Sequence, residues 1–205
     1  MVFLCISVAM MHSVLIERDK VRQVAISYRD NQMSIYQSLV KEFEQDLQRW
    51  GAQIEQDTLT ISFQTGDTMF ETGSSELSLP YQAILAEFFP RYLTILSPFH
   101  NSIEEIRLEG HTSSGWQQPG ENAYFKNLAL SQDRTRSVLK FVSSLPESQA
   151  FDEWITQYVA AVGYSSSRPI LDSSGIEQAE QSKRVAFRVI TNSEVKIKNI
   201  LEKTL

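Results

Sequence analysis

The chain has 205 residues, 42% of them hydrophobic and 21% charged, and a formal net charge of -6. That is enough apolar material for one ordinary domain plus an appendage, and it excludes global disorder. The diffuse negative charge argues against a nucleic-acid backbone as the main partner, and the single cysteine, Cys5, excludes an intramolecular disulfide.

The first sixteen residues, "MVFLCISVAMMHSVLI", carry no acidic or basic side chain other than His12, and no Gly or Pro; charge begins at "ERDK", Glu17 to Lys20. A full membrane span needs about 20 apolar residues, so the run is a little short. A secretory signal would have a basic start and a small-x-small cleavage site, and neither is visible. Two readings stand: a buried amphipathic helix, or the outer part of a membrane helix whose beginning lies upstream. An apolar run at the very first residue favours the second. Cys5 reads as a small buried hydrophobe.

No Gly or Pro interrupts residues 1–50, so a long helix is expected. Val21, Val24, Tyr28, Ile35, Leu39, Phe43, Leu47 and Trp50 recur mostly at steps of three, four and seven, a helical stripe. It serves equally as a coiled-coil seam between two copies or as a face packed on the next domain. Gly51 fits a C-cap.

Beyond Gly51 the pattern changes to that of a compact domain. "LTISFQ" (59–64) alternates and reads as a strand, and "TGDTMFETGSSELS" (65–78) as loop. Ser78, two residues before Pro80, fits the cap of a helix to about Leu96, with Pro90 expected to kink it or end it early. "IEEIRLEG" (103–110) reads as a strand and "GHTSSGWQQPGEN" (110–122) as loop. Ser131 is expected to cap a helix over 132–145, on which Val138, Phe141, Val142 and Leu145 share a face. The second half of "WITQYVAAVGY" (154–164) reads as a strand ending at Gly163, "SSSRPILDSSGIEQAEQS" (165–182) as loop, and "KRVAFRVI" (183–190) as a closing strand. Strands separated by helices predict an α/β (α+β) sandwich, with helices on a mixed β-sheet.

Four blocks in this order resemble the OmpA-like peptidoglycan-binding family: "MFETGSSELS" (69–78), "IRLEGHT" (106–112), "NLALSQDRTRSVLKFV" (127–142), and the pair "VGYSSSRPI" (162–170) with "KRVAFRVI". The resemblance covers about 59–190. It implies a periplasmic domain that binds the diaminopimelate of cell-wall stem peptides. Carried onto this chain, it implies Arg134 as the bidentate partner of a ligand carboxylate. Placed three residues after Ser131, Arg134 is expected in the first helical turn, sharing that space with the helix N-terminus. Asn127, Leu130, Thr112 and Ser113 complete the implied site; Leu130 contributes packing or its backbone, and His111 and Thr112 fix the loop. The family usually has an aspartate directly after Gly-His-Thr, where it pairs with the ligand ammonium. Ser113 stands there, so a charge is missing, with Asp133, Glu121, Ser114 or a different wall ligand as possible compensation.

The N-terminal segment is similar to the outward half of the membrane helix in MotB-type stator subunits, whose proton-carrying aspartate lies just upstream. No aspartate precedes Asp19, which reads as an interfacial charge, so either the chain begins inside the helix or it has no proton carrier, and the first is expected. The loop "GHTSSGW", ending at Trp116, looks most like the B subunits of Zorya anti-phage defence systems. These resemblances imply an inner-membrane, single-pass, wall-anchored subunit of a proton-driven motor, with peptidoglycan, a MotA-like membrane subunit, the lipid bilayer and a second copy of the chain as partners. A passive wall-binding tether is the alternative. The implied organisation is a partial transmembrane helix (1–16), a helical connector (17–50), the OmpA-like domain (51–192) and a C-terminal helical tail (193–205). No enzyme is implied. His12, His100 and His111 lack metal-ligand spacing, no nucleophile elbow, P-loop or dinucleotide fingerprint is present, and no cofactor is called for. "KRVAFRV" mixes basic residues with Phe187, but its alternation puts Val185, Phe187 and Val189 on a core face, and no nucleic acid is expected.

Overall fold

The computed structural model describes residues 2–64, 66–115 and 122–193. Its first element is a single helix, α1 (Val2–Trp50), 49 residues long and so about 70 Å from end to end. Gly51 ends it with φ of 58°, the left-handed conformation that glycine adopts without penalty; its N–H donates to the Gln48 carbonyl at 3.2 Å.

Five strands form one mixed sheet in the order β1-β2-β5-β3-β4. β1 (Ala52–Glu55) and β2 (Thr60–Phe63) are an antiparallel hairpin, with Ala52 opposite Phe63. β5 (Arg184–Thr191) lies antiparallel between β2 and β3 (Ile103–His111). β3 and β4 (Val159–Gly163) run parallel, with Gly110 opposite Gly163. A parallel pair requires a crossover, and α4 (Ala123–Ser143) and α5 (Asp152–Tyr158) provide it. α2 (Gly66–Met69) and α6 (Ala179–Ser182) are single turns. The sandwich with helices on a mixed sheet is therefore the observed architecture.

α3 (Leu79–Leu96) starts as expected, with Ser78 Oγ accepting from the Tyr81 N–H. It does not end at Pro90 but continues to Leu96. Proline removes one helical hydrogen bond, here that of the carbonyl of Ala86, an exposed residue, while Phe88, Phe89, Tyr92, Leu93 and Leu96 are fully buried on either side. Burial of that face outweighs the lost bond.

Ser131 is not an N-cap. α4 begins at Ala123, and Ser131 sits in its interior, fully buried where the helix crosses the sheet. Two loops expected to lack regular structure contain the short helices α2 and α6 and the bridges Phe70–Leu77 and Leu171–Glu177. Strand β1 was not expected at all.

The core is aromatic. Phe88 lies 5.1 Å from Phe63, 5.0 Å from Phe187, 5.2 Å from Phe43 and 5.9 Å from Trp50 between ring centroids. Ile35, Leu39, Phe43 and Trp50 of α1 are all essentially inaccessible in that same core, so the second half of the α1 stripe is a packed face. Arg91 fastens it: Nε reaches Glu42 at 2.8 Å, Nη1 reaches Asp46 at 2.9 Å, and the guanidinium lies 5.0 Å from the Phe43 ring. Before Asn31, α1 is more exposed, with Val24 and Tyr28 half-buried. Val21 and Ile26 are exposed, as are Ile6, Val8, Met10, Met11, Val14, Leu15 and Ile16. No helix among the described residues is long and apolar enough to cross a membrane. The side chain of Cys5, residues 194–205 of the expected tail, Trp116 and Glu121 lie outside the described residues.

Candidate functional site

The site forms where β3 and β4 end side by side and α4 crosses them. The crossing is close because both strands place glycine beneath the helix. A Cβ on Gly110 would meet the Ser131 carbonyl oxygen at 2.6 Å, and one on Gly163 would meet Gln132 N at 2.5 Å. Only glycine at these two positions lets α4 sit directly on the sheet.

The ladder then carries the chain into the Gly-His-Thr loop. Tyr164 N–H donates to the Gly110 carbonyl at 2.8 Å, and Thr112 N–H donates to the Ser165 carbonyl at 2.9 Å. Ser165 is the residue that sequence reasoning missed. It is fully buried with φ of 54°, a left-handed conformation unfavourable for a residue with a side chain. Its N–H donates to Ser131 Oγ at 3.1 Å, and its own hydroxyl donates to the Tyr124 carbonyl at 2.7 Å. One serine thus joins β4, the interior of α4 and the first turn of α4. The serine triplet after Gly-Tyr was the available signal, but nothing in it distinguishes the first serine from its neighbours.

His111 is internal. Its ring stacks on Tyr164 with centroids 5.2 Å apart, and Nε2 lies 3.1 Å from Glu109 Oε2. Burial pushes the imidazole below its ordinary value, and Arg184 and Arg168 add to that against the pull of Glu109. Burial alone would raise the Glu109 carboxyl, but His111, Arg168 and Arg188 together hold it low. The pair is an ionised carboxylate accepting from a neutral ring. His111 Nδ1 and Thr112 Oγ1 are buried with no hydrogen-bond partner among the described residues.

Asn127 is buried, and its Nδ2 donates to the Ser113 carbonyl at 3.2 Å. Thr112, Ser113 and Asn127 are thus brought together, with Asn127 acting on the loop backbone. Leu130 is half-buried on α4 and its backbone is mid-helix. Arg134 is not in the first turn: it lies about three turns in from Ala123, so the N-terminal N–H groups of α4 are not beside it. Its Nε donates to the Ser74 carbonyl at 2.9 Å and Nη2 to the Glu71 carbonyl at 3.3 Å, with the guanidinium 4.7 Å from the Phe70 ring centroid. Arg134 therefore ties the 70–78 loop to α4. It also lines a narrow cleft with Gly110, His111, Arg184 and Lys183, whose Nζ lies 2.7 Å from Glu180, a largely basic wall of the kind that attracts carboxylates.

Of the compensating charges expected for Ser113, Asp133 pairs with Arg136 at 2.8 Å on the surface. Ser114 instead binds a carboxylate: its N–H donates to Glu177 at 3.0 Å and 3.2 Å, and its hydroxyl donates to Glu177 Oε2. Among the described residues, no group of three or more His, Cys, Asp or Glu could hold a metal ion.

No family model matches the chain. A Zorya protein ZorB of Escherichia coli is 45% identical over 204 residues, covering 98% of this chain and 87% of that protein. Among solved structures, a MotB-like protein of Desulfovibrio vulgaris is similar with a TM-score of 0.54 at 16% identity, over 82% of this chain and 94% of that one. The cell wall anchor of the type VI secretion system of Pseudomonas aeruginosa is similar with a TM-score of 0.52 at 18% identity, over 75% of this chain and 97% of that one. The two structural likenesses carry the fold alone, the OmpA-like one expected from the four blocks, whereas identity of that order along nearly the whole chain carries kinship: the chain belongs to the ZorB family of Zorya proteins.

Proposed function

We propose that this chain is the wall-anchored, stator-like subunit of a membrane motor, and that it acts in anti-phage defence. Its folded domain binds peptidoglycan in the periplasm. The apolar start of α1 meets the lipid bilayer of the inner membrane beside a MotA-like, proton-conducting partner, and two copies of the chain work together. The work is anchorage and force-bearing, with no catalysis by this chain.

The observation that carries this reading is the unbroken α1, which joins an exposed apolar stretch, Ile6 to Ile16, to the aromatic core of the domain. The kinship with a ZorB protein and the likeness to a cell wall anchor support it. Thr112, Ser113, Asn127, Leu130 and Arg134 are the proposed wall-binding residues. The basic cleft beside Arg134 takes a ligand carboxylate, and Asn127 keeps the Thr112–Ser114 loop in place.

The test is co-sedimentation of the full chain, in mild detergent, with purified peptidoglycan sacculi. The wild type is expected to pellet and Arg134→Ala to remain in the supernatant. A wild type that stays in the supernatant would refute wall binding. A wild type and an Arg134→Ala variant that pellet equally would remove Arg134 from the site.

A further inference from the structure

Glu177 is built into the structure with unusual care for a residue in a polar loop. The 170–178 segment folds back on itself as a hairpin: Gln178 N–H donates to the Ile170 carbonyl and Asp172 N–H to the Ile176 carbonyl, both at 2.8 Å. Asp172 Oδ1 accepts from the N–H groups of Ser174 and Ile176 at 2.8 and 3.0 Å, and Gly175 supplies the positive φ, 80°, at the turn. Ser182 Oγ accepts the Ile170 N–H at 2.9 Å and ties the hairpin to α6. The hairpin carries Glu177 to Ser114, whose N–H and hydroxyl both bind it.

Those bonds fix the carboxylate without neutralising it. Among the described residues no Lys, Arg or His lies within ion-pairing distance of Glu177, whereas Glu105, Glu109 and Glu180 each have a basic partner. A carboxylate held by neutral donors beside a binding loop favours a cation brought from outside. The basic wall of Arg134, Lys183 and Arg184 borders Gly110 and His111, and Glu177 borders Ser114 at the other end of the same loop. Between them Thr112 keeps a buried hydroxyl without a partner. Opposite charges at the two ends of one short polar loop suit a ligand that is itself a zwitterion.

We propose that Glu177 is the ammonium-binding residue of the wall site, delivering from the 170–178 hairpin the negative charge that Ser113 lacks. This rests on the peptidoglycan-binding reading above. The ligand class is a stem peptide with a free side-chain amine, its carboxylate on the basic wall and its ammonium at Glu177.

Isothermal titration of the full chain in detergent, at low salt, tests this. The probes are a soluble stem peptide containing diaminopimelate and the same peptide acetylated on its side-chain amine. The wild type is expected to bind the free amine about tenfold more tightly than the acetylated form. Glu177→Gln keeps an acceptor for Ser114 and removes only the charge; it should bind both peptides equally, at the weaker affinity. Glu177→Asp should recover part of the preference. If Glu177→Gln keeps the wild-type preference, the residue only staples the hairpin and the proposal is overturned. A wild type that does not distinguish the two peptides overturns it without recourse to any variant. A wild type that binds neither peptide nor sacculi overturns the wall-binding reading as well.

Discussion

Replacing Gly163 with alanine adds one methyl group where α4 rests on β4. The added carbon would lie 2.5 Å from Gln132 N, 2.6 Å from Gln132 Cγ and 2.6 Å from Ser131 Oγ. The Gln132 side chain can rotate away, but its backbone nitrogen cannot. Ordinary contact needs about 3.5 Å, so helix and strand must part by roughly 1 Å. Overpacking of this kind costs about 1–3 kcal/mol. The same movement stretches the bond from Ser165 N–H to Ser131 Oγ, now 3.1 Å, at about 1 kcal/mol more. A total of roughly 2–4 kcal/mol lowers the melting temperature of a domain this size by about 6–12 °C. The assay is thermal unfolding of the full chain followed by tryptophan fluorescence, with Gly73→Ala as control. Gly73 has φ of 74° and nothing within 4 Å of its would-be Cβ, so that change costs only backbone strain, about 1–2 kcal/mol. A Gly163→Ala protein that melts within about 2 °C of the wild type, or above Gly73→Ala, would refute the close-crossing argument.

Arg91→Ala should destabilise the domain by about 1–2 kcal/mol in urea titrations, a figure discounted for the partial exposure of its ion pairs. Arg91→Lys should restore less than half of that loss, because a lysine cannot bind Glu42 and Asp46 while lying over Phe43; full restoration would argue for charge alone. Stability should fall as pH drops below about 6.5. His111 is held below that ordinary value in the folded state and Glu109 below its own, so the unfolded chain takes up protons first. His111→Gln should flatten the upper part of this slope, between about pH 6.5 and 5, in urea titrations; an unchanged slope would show that His111 does not titrate on unfolding. Removing residues 1–16 should release the chain from membranes on fractionation, and retention in the pellet after an alkaline wash would contradict the anchor.

Much of this fold was legible because it rests on local rules. Ser78 before Leu-Pro starts α3, the alternation of 184–190 places Val185, Phe187 and Val189 on one face, and the absence of Gly and Pro leaves α1 continuous. The misreadings came where tertiary contacts override those rules. Ser131 has the chemistry of a cap, and only the nearby strands show that it is a buried crossing point. Pro90 has the chemistry of a stop, but burying Phe88 and Tyr92 outweighs the lost hydrogen bond. The candidate site was legible as a set of positions on α4 and the Gly-His-Thr loop, but not in its connections. Glu177 stands 63 residues from Ser114 with no motif to join them. The role of Arg134 depends on carbonyls of Glu71 and Ser74 that a sequence does not display as partners.

The seating of α1 has a mechanical consequence. Roughly the last five turns of the helix are cemented into the domain, and nothing in its remaining length provides a swivel: no glycine, no proline, no break in the hydrogen-bond ladder. A torque applied at the far end therefore meets no glycine or proline hinge on its way to the sheet. The stretch from Val2 to Asp30, about 45 Å long, likewise acts as a gauge between its two ends. Inserting seven residues before Asn31 would raise that gauge by about 10 Å while nearly preserving the angular phase of the helix. Inserting five would leave the apolar end facing almost the opposite direction. Height and phase are therefore separable by design in this chain.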